Sequence, residues 1–239
     1  MHHEHHRWFS STLQRDMDLN VWGHAGARLL VFPTSQGRYF EFSDRGMVNL
    51  IADPVNRGWL QVYCVDSLDS ESWYAYHKHP AERAHRHAQY DQYLVNEVVP
   101  FSQQKNSNPF LITLGCSFGG YHAVTFGLKH PFLVSRILSL SGLCDIRGFT
   151  NGFYNDEIYF QNPVDFIANE HDEHRLSALR RQDIILVVGR DDRLAASNER
   201  MSEALWAKGI GNALRLWDGW SHDWPYWEKM MQLYLSGHD

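Results

Sequence analysis

The sequence predicts an α/β fold, a mostly parallel sheet with helices on both faces. Three observations predict it. Short apolar runs such as ARLLVFP, LQVYCV and IILVV recur along the chain. Segments of helical period separate them. No repeat or linker-like stretch divides the 239 residues, so one domain over 1–239 is expected.

The elements follow in order. Residues 13–22 alternate weakly, as an antiparallel edge pair would, and residues 27–33 (ARLLVFP) suit a buried strand. That strand ends at the turn-forming cluster Thr34-Ser35-Gln36-Gly37. Residues 43–52 form a short helix and 60–65 (LQVYCV) the next strand. A longer helix covers 80–98, with Pro80 in its first turn. Residues 109–114 (PFLITL) are a strand, and 118–129 a helix stopped by Pro131. A strand over 134–140 leads into an aromatic, irregular stretch at 142–163. Beyond it come a helix over 163–181, a strand over 184–188 and a helix over 197–208 ended by Gly209. The last strand is 213–217 and the last helix 223–235.

Composition excludes several function classes. The net charge of −6 argues against nucleic acid or an anionic membrane as the main partner. No apolar run of about 18 residues is present, so no membrane span is expected. Cys64, Cys116 and Cys144 are odd in number and fit no zinc spacing. They predict reduced thiols and, with an N-terminus unlike a signal peptide, a cytoplasmic protein. Four histidines among the first six residues read as a disordered tail. His77, His79, His85 and His87 read as a solvated helix and not a metal site, because positions two apart do not share a helix face. No metal or cofactor is expected.

Three strand ends carry the chemistry. Gly115-Cys116-Ser117-Phe118-Gly119 matches G-x-S-x-G. Chance alone gives that match in about one chain of this length in twelve. Its setting adds the weight: it follows PFLITL and opens a helix, as a nucleophile elbow does. Ser117 is therefore the candidate nucleophile, with the helix N-terminus favouring negative charge beside it. After IILVV comes Gly189-Arg190-Asp191-Asp192. Asp192 is the candidate acid, Asp191 the reserve, and Asp145 a more distant alternative. After ALRLW comes Trp220-Ser221-His222, which makes His222 the candidate base. Ser, then Asp, then His, each after its own strand, is the order of the α/β-hydrolase triad.

An oxyanion hole needs backbone N–H donors. Phe118 supplies one. The turn after the third strand supplies the other, from Gln36 or alternatively Ser35, which also lies at the substrate site. Tyr154, Trp220 and Trp224 are the candidate substrate contacts. Phe149, Phe153, Tyr159, Phe160 and Trp227 are aromatic neighbours of the same regions. Asp66, Ser67 and Trp73 follow the 60–65 strand, where they could line the mouth.

GCSFGGYHAV, VVGRDDRL, GWSHDWPYW and YFQNPVDFI together resemble the esterase D type of esterases. That α/β-hydrolase group includes feruloyl esterases, S-formylglutathione hydrolases and mycolyltransferases. The resemblance spans nearly the whole chain. It implies a single-domain α/β-hydrolase without a large lid, and Ser117, Asp192 and His222 as the triad. It implies a serine carboxylic-ester hydrolase that forms an acyl-enzyme on a small or medium acyl or aryl ester. Acyl transfer or thioester hydrolysis with the same triad, or an inactive binding module, are the alternatives. The chain departs from the group at PTSQG, where an HG-type turn is usual. The oligomeric state is not readable from the sequence.

Overall fold

The computed structural model describes residues 1–236; the last three positions of the expected 1–239 domain lie outside the described residues. Eight strands form one sheet in the order β1-β2-β4-β3-β5-β6-β7-β8. They are β1 His3–Ser10, β2 Arg15–Trp22, β3 Ala27–Phe32, β4 Leu60–Val65, β5 Leu111–Cys116, β6 Arg136–Leu140, β7 Asp183–Gly189 and β8 Ala213–Trp217. From β4 to β8 every pairing is parallel. The hairpin β1-β2 adds antiparallel strands to the β4 edge, with Leu19 opposite Val65.

The helices are α1 Glu41–Asp44, α2 Met47–Leu50, α3 Ala52–Asn56, α4 Pro80–Tyr93, α5 Val99–Lys105, α6 Phe118–Lys129, α7 Asp156–Tyr159, α8 Pro163–Ala168, α9 Glu173–Leu179, α10 Ala195–Ala207 and α11 Trp224–Tyr234. Alternation along the central strands splits the core between the two faces of the sheet. Leu30, Phe32 and Tyr63 pack with Tyr93, Ala123, Leu176 and Met201 from α4, α6, α9 and α10. Leu29, Val31 and Val62 pack with Phe42, Met47, Val55 and Met230 from α1, α2, α3 and α11. Apolar runs buried on both faces are what a helix-covered parallel sheet requires.

Several expectations change. The N-terminal histidines are not a loose tail; three of the four, His3, His5 and His6, belong to β1. The His3 ring stacks on Trp22 at 3.9 Å, and His5 bonds Asp18 at 2.8 Å. Glu97 then gathers the Trp8 indole N–H, the Ser10 hydroxyl and the Thr12 N–H. Polar cross-strand contacts make this strand, so a hydrophobic pattern does not reveal it. The 43–52 helix is three short pieces, broken at Gly46 with φ 75°. The 80–98 helix runs on to Lys105 through a π turn at Leu94–Val98. That turn precedes Pro100, whose ring does not fit a regular α turn. The 163–181 helix divides because the Asp172 carboxylate caps a new start at α9, accepting from the His174 and Arg175 N–H groups. His87 is buried, unlike His85 on the same helix.

Burial favours the protonated form of Glu97, but the Trp8, Thr12 and Ser10 donors prevail and hold its carboxyl below the usual range. A carboxyl lowered in the folded state stabilises above its unfolded pKa, and that stability is lost as pH falls through the folded value. Glu97→Ala is therefore expected to destabilise the hairpin by about 1–3 kcal/mol. Protection factors of the His3–Ser10 amides, exchange corrected for its intrinsic pH dependence, should fall in the variant, and in the wild type as the pH drops below the carboxyl range.

Candidate active site

Parallel strands of one sheet deliver their following loops to one rim, and three of these loops converge. β5 ends at Cys116, and Ser117 turns the chain into α6 with φ 55° and ψ −117°. Its N–H is anchored on the Leu140 carbonyl at 2.9 Å. The turn is so tight that a Cβ on Gly115 would lie 2.1 Å from the Gly119 carbonyl carbon. One on Gly119 would lie 2.5 Å from the Pro33 carbonyl oxygen. Only glycine fits either place. The elbow glycines thus admit both the start of α6 and the loop after β3.

β7 ends at Gly189 and places Asp192 in a buried position. One carboxylate oxygen accepts the Leu194 N–H at 3.0 Å, and the other meets His222 Nδ1 at 2.6 Å. His222 Nε2 lies 3.0 Å from the Ser117 hydroxyl oxygen. A carboxylate only accepts, so Nδ1 carries the imidazole proton and Nε2 is left to accept from Ser117. Asp191, the reserve, is exposed. Asp145 instead pairs with Arg147 and Arg200.

The His222 loop is braced from below. The Ser141 hydroxyl donates to the Ser221 carbonyl at 3.0 Å and accepts from the Trp227 indole at 3.1 Å. Trp220 stacks on the His222 ring at 5.6 Å while remaining 54% exposed, so its face is open beside the base. Trp224 packs edge-on against Trp227 and lies under the Arg45 guanidinium. Burial pushes the Cys116 thiol up, so the neighbour of Ser117 is an inert core residue.

The remaining candidates sort by place. Among the described residues, the Phe118 N–H has no hydrogen-bond partner. The Gln36 N–H is already given to Asp69 at 2.9 Å, whereas the alternative, the Ser35 N–H, has no partner among the described residues. Phe149 packs against Phe118 and Tyr74 beside the elbow. Tyr154, in the 142–163 stretch, gives its hydroxyl to Asp165 on α8. Tyr159 and Phe160 line a separate hollow with Lys129 and Phe166. Asp66 and Trp73 are buried, the first held by Arg38 and the second donating to the Tyr121 hydroxyl. Ser67 donates to the Gly37 carbonyl.

Sequence reasoning passed over Tyr74, Asp69 and His122. Tyr74 donates to the Ser35 hydroxyl at 2.7 Å, and Asp69 bonds buried His122 at 2.8 Å. The signal for Tyr74 and Asp69 was the polar, aromatic run DSLDSESWY directly after β4, whose length alone marks no role, and His122 stood unremarked on the helix after Ser117. Among the described residues, no group of three or more His, Cys, Asp or Glu could hold a metal ion, and no helix is long and apolar enough to cross a membrane.

Known proteins share this fold. The model of the family described as "Putative esterase" matches residues 32–235. A ferulic acid esterase structure superposes with TM-score 0.78 at 17% identity, over 97% of this chain and 95% of that one. An S-formylglutathione hydrolase from Agrobacterium tumefaciens gives 0.76 at 15% identity, over 98% and 93%. The fluorophosphonate-binding serine hydrolase FphF of Staphylococcus aureus gives 0.66 at 14%, over 98% and 97%. At these identities the superpositions establish the α/β-hydrolase fold. No curated protein matches the sequence.

A Cβ on Gly189 would fall 2.3 Å from the Trp220 carbonyl oxygen. Gly189→Ala should therefore push the 219–222 loop outward and part His222 from Asp192. Misplacement of this kind costs about a hundredfold. The expected result is that much slower labelling of Ser117 by a fluorophosphonate, with an unchanged far-UV circular dichroism spectrum.

Proposed function

The chain belongs to the Putative esterase family, and from that membership we propose that Ser117, Asp192 and His222 are its catalytic triad. The protein is a serine esterase that hydrolyses carboxylic esters. One observation carries the assignment: a single imidazole bonds Asp192 through Nδ1 and the Ser117 hydroxyl through Nε2.

The reaction follows from that geometry. His222 Nε2 takes the Ser117 proton as the oxygen attacks the ester carbonyl. The carbonyl oxygen becomes an anion, received by the N–H groups of Phe118 and Ser35 at the N-terminus of α6 and the loop after β3. Asp192 stabilises the imidazolium and fixes its tautomer. As the intermediate collapses, the C–O bond to the alcohol breaks and His222 returns the proton to the leaving oxygen. Water then repeats the sequence on the acyl-enzyme, with His222 as base, and releases the acid.

The substrate is a small or medium acyl or aryl ester. Aromatic surfaces support this reading. Trp220 is open beside His222, and Tyr74, Phe118 and Phe149 form a ring cluster at the elbow. Trp224 and Tyr154 are proposed as further aromatic contacts of the substrate. Residues 1–239 act as one domain. The three free, buried cysteines support a reducing, cytoplasmic setting.

Ser117→Ala is expected to lower kcat by about 10⁴-fold or more, and Asp192→Asn by about 10⁴-fold. A panel of p-nitrophenyl esters of rising acyl length, beside aryl esters and thioesters, measures both and ranks the substrates. Ser117→Ala turning over at the wild-type rate would exclude the mechanism.

A further inference from the structure

The loop carrying the proposed second oxyanion donor is held at its start by Glu41, which accepts the Thr34 N–H and hydroxyl, and beyond that mainly by one other segment. Gln36 sits at φ 56°, a left-handed conformation that only an external hold makes favourable for a residue with a Cβ. Its N–H is taken by Asp69 Oδ2. The Ser35 hydroxyl is taken by Tyr74, the Gly37 carbonyl by Ser67 and the Arg38 guanidinium by Asp66. The Ser35 N–H has no partner among the described residues.

Asp69 is nearly out of contact with solvent, and its Oδ1 meets His122 Nε2 at 2.8 Å. His122 is the fifth residue after Ser117, on α6, and is buried among Phe32, Phe118, Tyr121, His87 and Tyr90. One buried carboxylate therefore bonds both the helix behind the nucleophile and the loop opposite it. A buried carboxylate is tolerated only when its oxygens are satisfied, so the two partners fix each other's position.

We propose that Asp69, backed by His122, together with Tyr74, are positioning residues for the oxyanion hole. They aim the Ser35 N–H at the anion formed on Ser117 attack. This rests on the triad reading above. Their effect on the reaction runs through the loop, and neither moves a proton in it.

The test compares an oxo-ester with its thiono analogue, in which C=S replaces C=O. Sulfur is a weak hydrogen-bond acceptor, so the thiono ester gains little from an oxyanion hole. Asp69→Ala is expected to lower kcat on p-nitrophenyl acetate by about tenfold to a hundredfold, with KM within about threefold. The oxo-to-thiono ratio should fall by about tenfold. Asp69→Asn should recover most of that ratio, because its oxygen still accepts the Gln36 N–H while its amide donates to His122 in the other tautomer. Tyr74→Phe should lower the ratio by about threefold and carries the test should Asp69→Ala not fold. All variants should still label fully at Ser117 with a fluorophosphonate. A wild-type ratio in Asp69→Ala or Tyr74→Phe overturns the proposal, as does Asp69→Asn behaving like alanine. Activity surviving Ser117→Ala would instead remove the triad on which the proposal rests.

Discussion

The backbone at Ser117 occupies a positive φ that costs a residue with a Cβ about 1–3 kcal/mol, and its surroundings are shaped to hold it there. β5 and α6 are both buried and fixed to the central sheet, so neither end of the turn can relax. Gly115 and Gly119 let backbone approach backbone where any side chain would collide. The Leu140 carbonyl fixes the Ser117 amide. The hydroxyl then stands clear of the sheet, and the helix behind it begins with an unpartnered N–H. The other two loops are arranged to meet that one point.

Meeting it depends on hydrogen bonds running beneath the site. Asp192 reaches His222 only because the loop after β7 folds back, with the Asp192 N–H on the Gly189 carbonyl and the Leu194 N–H on the carboxylate. The base is held from its other side by Ser141 and Trp227. Residues of no direct chemical use thereby set the angles of those that react.

How much of this was legible in the sequence differs by residue. Ser117, Asp192 and His222 could be singled out because each lies on the loop or turn that follows an apolar strand, and hydrophobic runs mark parallel strands well. The glycine spacing around Ser117 was legible for the same local reason. β1 was not, since its stability comes from cross-strand contacts of histidines and from Glu97, far along the chain. The partner of the Gln36 N–H was equally hidden. It depends on a carboxylate 33 residues away, and no local pattern reports such a pairing. The breaks at Gly46 and before α9 were missed because a hydrophobic period persists across them while the backbone does not.

In the proposed triad, the imidazole that would activate the nucleophile lies 105 residues beyond it. Synthesis on the ribosome therefore produces the elbow first and the base near the end. Until β8 has joined the sheet and carried His222 to the rim, Ser117 is an ordinary alcohol. A growing chain is thus chemically silent towards acyl groups, and its reactivity arises with the closing of the far edge of the sheet.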